Sequence, residues 1–190
     1  MHILLASASP RRKQLMTEYG YEFTVQPADV EEITPEDLNA GDITLYNARL
    51  KAEAIADKNP EAWVLGVDTL VAFEGAVLGK PRDLDHAFEM LSRLNGRVHE
   101  VYSGVFLVRR ASNVTRALVE ITRVKFRTLS EPEIRAYMDR IHPLDKAGAY
   151  AAQDDGPDGF IECVEGSMTN VVGLPMEALG RMLAKVDPGH

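Results

Sequence analysis

The chain opens with Ile3-Leu4-Leu5-Ala6-Ser7-Ala8-Ser9-Pro10-Arg11-Arg12, and no other stretch constrains the fold as much. The apolar run reads as a buried strand that breaks into two serines, a proline and two arginines. Ser9 is a favoured N-cap and Pro10 suits the first helical position, so the spacing predicts a helix whose unpaired backbone N–H groups face the strand end. Gly20 then serves as its C-terminal cap. Two readings of the turn follow. In one, Ser9 simply caps the helix and Arg11 and Arg12 are solvated. In the other, the turn holds an anion, because cations in a first turn oppose the helix dipole unless an anion sits there, and guanidinium forks suit phosphate.

The 190 residues fit one domain, or one domain with two lobes, with enough apolar content (45%) to bury a proper core. No apolar run approaches the roughly 20 residues that cross a bilayer, and no basic segment precedes the short apolar stretch at the start. A cytoplasmic protein without a membrane partner is therefore expected. The one cysteine, Cys163, cannot form an intramolecular disulfide and is expected as a small buried hydrophobe. A net charge of -8 argues against a nucleic-acid surface, which needs a basic face. A small phosphorylated ligand, held by a few convergent cations, is compatible with it.

Periodicity supplies the remaining elements. A helix starting at Asp42 or Thr44 runs to about Asp57, with Leu45, Ala48, Ala52, Ile55 and Ala56 on one stripe. Lys51 lies beside that stripe, either as a snorkelling flank residue or reaching into a neighbouring cleft. Val64 to Val67 reads as a buried strand ending at Asp68, where a carboxylate needs a partner or a metal. Val71 to Phe73 and Val77-Leu78 bracket a Glu74-Gly75 hairpin turn. After the Asp83 cap, Leu84, Ala87, Phe88, Leu91 and Leu94 form a helical stripe that Gly96 ends. Val98 to Val108 and Val119 to Thr128 are long strands, the second alternating through Val119, Ile121, either Arg123 or Val124, and Phe126. Ser130 with Glu133 makes a capping box for a helix to about Arg140, and Pro175 opens a last helix to about Val186. Crossovers mixed with hairpins predict an α/β fold with a mixed, twisted sheet flanked by helices, whose strand-end loops frame a cleft, the default place for a small ligand.

Four stretches share one chemical theme: Ser7 to Arg12, Asp68-Thr69, Gly79-Lys80-Pro81-Arg82, and Lys146 to Tyr150 leading to Gln153. They offer cations, hydroxyls and a carboxylate. Asp68 with Glu31 or Glu32 could hold a divalent cation, which takes oxygen ligands and bridges phosphates. The acidic pair reads equally well as a solvated loop.

These residues resemble the Maf family of septum-formation inhibitor-like nucleoside triphosphate pyrophosphatases. The matching motifs are Leu5 to Arg12, Ala48-Arg49-Leu50-Lys51-Ala52, Gly66-Val67-Asp68-Thr69, Gly79-Lys80-Pro81-Arg82-Asp83, Asp145 to Tyr150 and Val171-Val172-Gly173-Leu174-Pro175, in family order across nearly the whole chain. The resemblance implies a Maf or inosine triphosphatase-like fold with a central nucleotide-binding cleft, and a homodimer. It also implies hydrolysis between the α and β phosphates, helped by a divalent cation (Mg2+, Mn2+ or Co2+), that releases a nucleoside monophosphate and pyrophosphate. Asp68 matches the family's proton acceptor. Ser7, Ser9, Arg12, Lys51 and Lys80 match its phosphate-handling positions, with Lys51 and Lys80 also counted as catalytic, and Glu32 matches an acidic position near the metal beside Asp68. Arg11, Thr69 and Gln153 match the specificity positions of the dTTP/UTP branch. A glutamine amide can both donate to a pyrimidine carbonyl and accept from N3–H, whereas Arg11 repels the cationic base of 7-methyl-GTP.

Three departures from the family pattern stand out. Gln153 precedes Asp154-Asp155-Gly156 where a Gly-x-Gly run is frequent, Ser103-Gly104 replaces Thr-Gly, and Met168 replaces a frequent tyrosine. Pyrophosphatases for other or modified nucleotides (7-methyl-GTP, CTP) are one alternative, and the acidic loop is its warrant. A non-enzymatic, nucleotide-binding regulator of cell division is the other. A pure binder has little use for a strand-end carboxylate that repels phosphate unless a metal intervenes.

Overall fold

The computed structural model describes residues 1–35, 37–152, 156 and 159–186. Gln153, Asp154 and Asp155 lie outside these described residues. The fold is mixed α/β, and its strands hydrogen-bond in the order β2-β1-β3-β5-β6-β7 with β4 attached to β3. They are β1 (Ile3–Leu5), β2 (Phe23–Val25), β3 (Trp63–Phe73), β4 (Ala76–Leu78), β5 (Val98–Arg109), β6 (Val114–Phe126) and β7 (Ile161–Glu165). The helices are α1 (Pro10–Glu18), α2 (Ala40–Ala56), α3 (Leu84–Leu94), α4 (Glu131–Ile141), α5 (Met168–Val172) and α6 (Met176–Leu183). None of the helices among the described residues is long and apolar enough to cross a membrane.

The chain divides into two compact units, and β3, β5 and β6 each run from one into the other. The first unit comprises Met1–Thr69, Ser103–Glu120 and Gly173–His190. In it β1 lies parallel to both β2 and β3, pairing Leu5 with Val25 and with Leu65. Burial of Ile3 and Leu5 fixes that register, since a one-residue slip would turn both to the other face. Helix α1 follows β1 through the Ser7-Ser9 turn and ends as expected at Tyr19, with Gly20 at φ +73°. Ala48, Ala52, Ile55 and Ala56 of α2 pack with Ala6, Val64, Phe106 and Val108.

The second unit comprises Leu70–Tyr102 and Ile121–Val172. Its core joins the α3 stripe (Ala87, Leu91, Leu94) to Ile134, Tyr137, Met138 and Ile141 of α4 and to the rings of Phe126, Tyr150 and Phe160. The hairpin turn forms as expected, with Glu74 at φ 51° and Gly75 at φ 80°, and Glu133 accepts from both the backbone N–H and the hydroxyl of Ser130 at 2.6 Å.

Several expectations need correction. Helix α2 starts earlier than Asp42 or Thr44: Asn39 is the cap, its Oδ1 accepting from Asp42 N at 2.9 Å, and Asp42 supplies first-turn negative charge. Asp68 does not end a strand, because β3 continues to Phe73 and includes the segment read as a separate strand. Strand β6 begins at Val114, and its inward positions are Thr122, Val124 and Phe126, so Ile121 is exposed. Leu84 is also exposed, outside the α3 stripe, and α6 ends at Leu183, short of Val186. Cys163 is exposed too: it stands opposite Lys125 on β7, which ends the strand order among the described residues.

Candidate active site

Two glycines decide where α2 sits. A Cβ on Gly66 of β3 would stand 2.0 Å from the Ala48 carbonyl oxygen, and one on Gly104 of β5 would stand 2.3 Å from the Thr44 carbonyl carbon. Side chains at either position would push the helix away, so this contact of helix backbone on strand backbone requires glycine. The close approach brings Asn47 and Lys51, one helical turn apart on α2, to Asp68.

Asp68 is buried in mid-strand and held through both oxygens. Lys51 Nζ lies 2.7 Å from Oδ1, and Asn47 Nδ2 donates to Oδ2 at 3.3 Å. A carboxylate has about four lone-pair sites, so acceptor capacity remains for water. Lys51 is itself buried and pairs at 2.9 Å with Glu32 Oε1, which joins the distant acidic loop to Asp68, a connection that spacing alone does not provide. The side chains of Lys51 and Asp68 are 10% and 6% exposed, against 52% for Glu32. The Lys51–Asp68 pair is therefore desolvated while Glu32 keeps contact with solvent. Of the two readings of Lys51, the inward one holds.

Asn47 was missed by sequence reasoning. Its Oδ1 accepts from Ile33 N and its Nδ2 donates to Ile33 O, both at 2.9 Å, so one buried amide fixes the Glu32 loop and Asp68 together. The signal lay in the i, i+4 relation of Asn47 to Lys51, hidden because asparagine mid-helix reads as a weak helix former and no more.

On the other side of Val67, Arg12 is buried and bonded to the protein. Its Nε donates to Gly173 O at 2.9 Å, Nη1 to Ser7 Oγ at 2.9 Å and Val67 O at 3.0 Å, and Nη2 to Thr69 Oγ1 at 3.1 Å. Four of its five N–H groups are thus committed, leaving one Nη2–H. Burial lowers its pKa, an effect opposed by the charges of Asp68 and Glu32 and reinforced by Arg11. The Thr69 hydroxyl also donates to Gly173 O at 3.2 Å and shares a 2.8 Å hydrogen bond with the buried Ser103. The Val67 carbonyl lies within 3.5 Å of Lys51 Nζ as well, so one peptide group touches both cations.

Ser9 does not cap α1 with its side chain; instead Ser9 N donates to Ser7 Oγ at 3.3 Å. Ser7 Oγ thus accepts from Ser9 N and Arg12, which leaves its O–H proton to donate outward. The α1 N-terminus has neither a side-chain cap nor a first-turn carboxylate to compete with an anion. Arg11 is half-buried in the first turn.

Ser7, Ser9, Arg11, Arg12, Glu32, Lys51, Asp68 and Thr69 all belong to the first unit, whereas Lys80 is exposed in the second, just after β4. There Gly148 N donates to Gly79 O at 3.1 Å, which ties two of the recognised motifs together. Lys146 bonds inward to His142 O and Asp145.

The family model for Maf-like proteins matches residues 2–186. The chain is 49% identical over 92% of its length to a dTTP/UTP pyrophosphatase of Myxococcus xanthus, 87% of which is covered. It is 44% identical over 96% of its length to a dTTP/UTP pyrophosphatase of Carboxydothermus hydrogenoformans, with 97% covered. Among solved structures, the Staphylococcus aureus Ham1 protein matches with a TM-score of 0.48 and 16% identity, over 66% of this chain and 72% of that one.

Proposed function

This chain belongs to the Maf-like protein family, and from that premise we propose that it is a nucleoside triphosphate pyrophosphatase that hydrolyses dTTP and UTP to the monophosphate and pyrophosphate. One observation carries the mechanism: a buried Asp68 fixed through both oxygens by Lys51 and Asn47, on the strand beside an uncapped helix N-terminus.

In this reading Asp68 accepts the proton of the water that attacks the α-phosphorus, and its hydrogen bond from Asn47 aims the acceptor oxygen. The Ser7 hydroxyl, the α1 N-terminus, Ser9 and the cations Lys51 and Lys80 bind the phosphate oxygens. The catalysis is then positioning and charge stabilisation. Arg12 contributes its one remaining N–H and chiefly shapes the turn. Arg11, Thr69 and Gln153 read the base. The Thr69 hydroxyl already donates to Gly173 O and accepts from Arg12, so its contribution to specificity is through position and its methyl group.

The donors present fit a divalent cation. Asp68 and Glu32 bring two carboxylate oxygens within 2.9 Å of a single positive charge, Lys51 Nζ, and oxygen ligands suit Mg2+, Mn2+ or Co2+. Among the described residues no cluster of three or more acidic, histidine or cysteine ligands exists, so substrate phosphates and water would complete the coordination. When bound, the cation supplies neutralisation of phosphate charge.

The test is pyrophosphate release from dTTP, UTP, CTP, ITP and 7-methyl-GTP across the three metals. Release from dTTP and UTP is expected, and Asp68→Asn should lower kcat by about 10²–10⁴ while circular dichroism stays native. Orthophosphate as first product, or full activity of the variant, refutes the mechanism, and equal rates on all five nucleotides refute the base preference. We further propose a cytoplasmic homodimer acting as one catalytic domain on a small nucleotide, with no nucleic-acid partner. The net charge of -8 supports this last point, and light scattering measures the assembly state.

A further inference from the structure

We propose that Lys51 is a resident stand-in for the divalent cation, and that binding of the metal expels its ammonium from the Asp68–Glu32 pair and so releases it toward the substrate phosphates. The inference rests on the metal-assisted reading above.

The surroundings of Nζ are those of a hard cation. Asp68 Oδ1 at 2.7 Å, Glu32 Oε1 at 2.9 Å and Val67 O at 3.5 Å are all oxygen acceptors. Burying the Asp68 side chain among its neighbours is costly unless a cation compensates it, and Lys51 Nζ at 2.7 Å is that cation in this structure. A metal taking the same two carboxylate oxygens would stand against the ammonium, and a unit charge and a double charge cannot share ligands at contact distance without strong repulsion. Glu32 is the solvent-facing partner, so it offers the exchange a route by which one carboxylate lets go of Nζ first. The long flexible stem of lysine permits the ammonium to move without the backbone, which Asn47 and Gly66 hold in place. Lys51 thereby reaches phosphate only once the metal has arrived, and phosphate binding by this lysine becomes coupled to metal loading.

Calorimetric titration with Mn2+ in the absence of nucleotide tests the competition directly. Lys51→Met keeps the side-chain volume and removes the resident charge. It should bind Mn2+ about tenfold or more tightly than wild type, although its turnover falls. Unchanged or weaker binding overturns the proposal. Should the variant fail to fold, acetylation of wild-type Lys51, followed by peptide mass spectrometry with and without Mn2+, gives an independent answer. Lys51 should react several-fold faster with Mn2+ present while Lys146, paired with Asp145 in the second unit, does not change. Equal Lys51 rates overturn the proposal. If neither protein binds Mn2+, the metal-assisted reading fails together with this one. If wild type binds but Lys51→Met binds no better, only the stand-in role fails.

Discussion

Replacing Gly66 with alanine should disable the site without touching any of its side chains. The new methyl would lie 2.0 Å from the Ala48 carbonyl oxygen and 2.9 Å from both Ala52 N and Cβ, where ordinary contact begins near 3.4 Å. The clash is with helix backbone, which cannot rotate aside, so α2 must retreat by about 1.4 Å (3.4 minus 2.0). A retreat of that size would carry the 3.3 Å Asn47–Asp68 bond out of range, so Asp68 would lose the short, stiff side chain that orients it, whereas the longer Lys51 could follow. Overpacking of this kind costs about 1–3 kcal/mol, which for a chain of this size lowers Tm by about 2–12 °C. Misplacing catalytic groups by about 1 Å costs about 10²-fold in rate. Gly79→Ala is the stability control, since a Cβ there meets nothing within 4 Å. Thermal melts of both variants and the kcat of Gly66→Ala for pyrophosphate release decide the matter: Gly66→Ala with wild-type Tm and wild-type kcat would show that the close approach of α2 positions nothing.

Asn47→Leu conserves volume but strands the Ile33 backbone groups, so it should lose about 1–3 kcal/mol and reduce Mn2+ affinity about 10–100-fold by calorimetry; wild-type affinity would remove Asn47 from any positioning role. Arg12→Lys cannot serve four acceptors with one ammonium. A loss of about 2–3 kcal/mol in urea unfolding is expected, and a wild-type midpoint would return Arg12 to a purely phosphate-binding role. His99 is buried against Phe126 and hydrogen-bonded to Tyr150, and burial holds its pKa down at about 4. The native state therefore refuses a proton that the unfolded chain takes below about 6.5, so stability falls as pH drops from 6.5 to 4, by at most about 3 kcal/mol. His99→Gln should flatten that part of the pH dependence of unfolding, and an unaltered slope would locate the loss elsewhere.

Local rules carried the sequence reading well where a single element decided the outcome. The Gly20 cap, the Glu74-Gly75 turn and the Ser130-Glu133 box follow from backbone preferences of the residues involved, and all form. The same rules failed where burial decided. Asp68 looked like a strand terminator because an ionised side chain inside a sheet is costly. Lys51 and Asn47 remove that cost from a helix about twenty positions earlier, and β3 runs on. Cys163 was expected inside by its residue type, but it is exposed on β7, which ends the strand order among the described residues. Glu32 reaches the site through tertiary contacts, its own pairing with Lys51 and the hold of Asn47 on Ile33, for which no spacing rule exists. The bonds of Arg12 to Gly173 O and Val67 O, which its motif does not announce, go to main-chain atoms that leave no trace in a sequence.

The Val67 carbonyl, within reach of both Arg12 and Lys51, has an implication for how this site tolerates change. No substitution at position 67 deletes a peptide oxygen, so side-chain variation there leaves the tie between the two cations intact. Alanine scanning at position 67 would pass over it in silence. Chemistry on the main chain is what edits the acceptor itself: an ester in place of the 67–68 amide, introduced by semisynthesis, weakens that oxygen while every side chain stays native. The acceptor is thereby shielded from point mutation, and only its two donors, Arg12 and Lys51, are exposed to it.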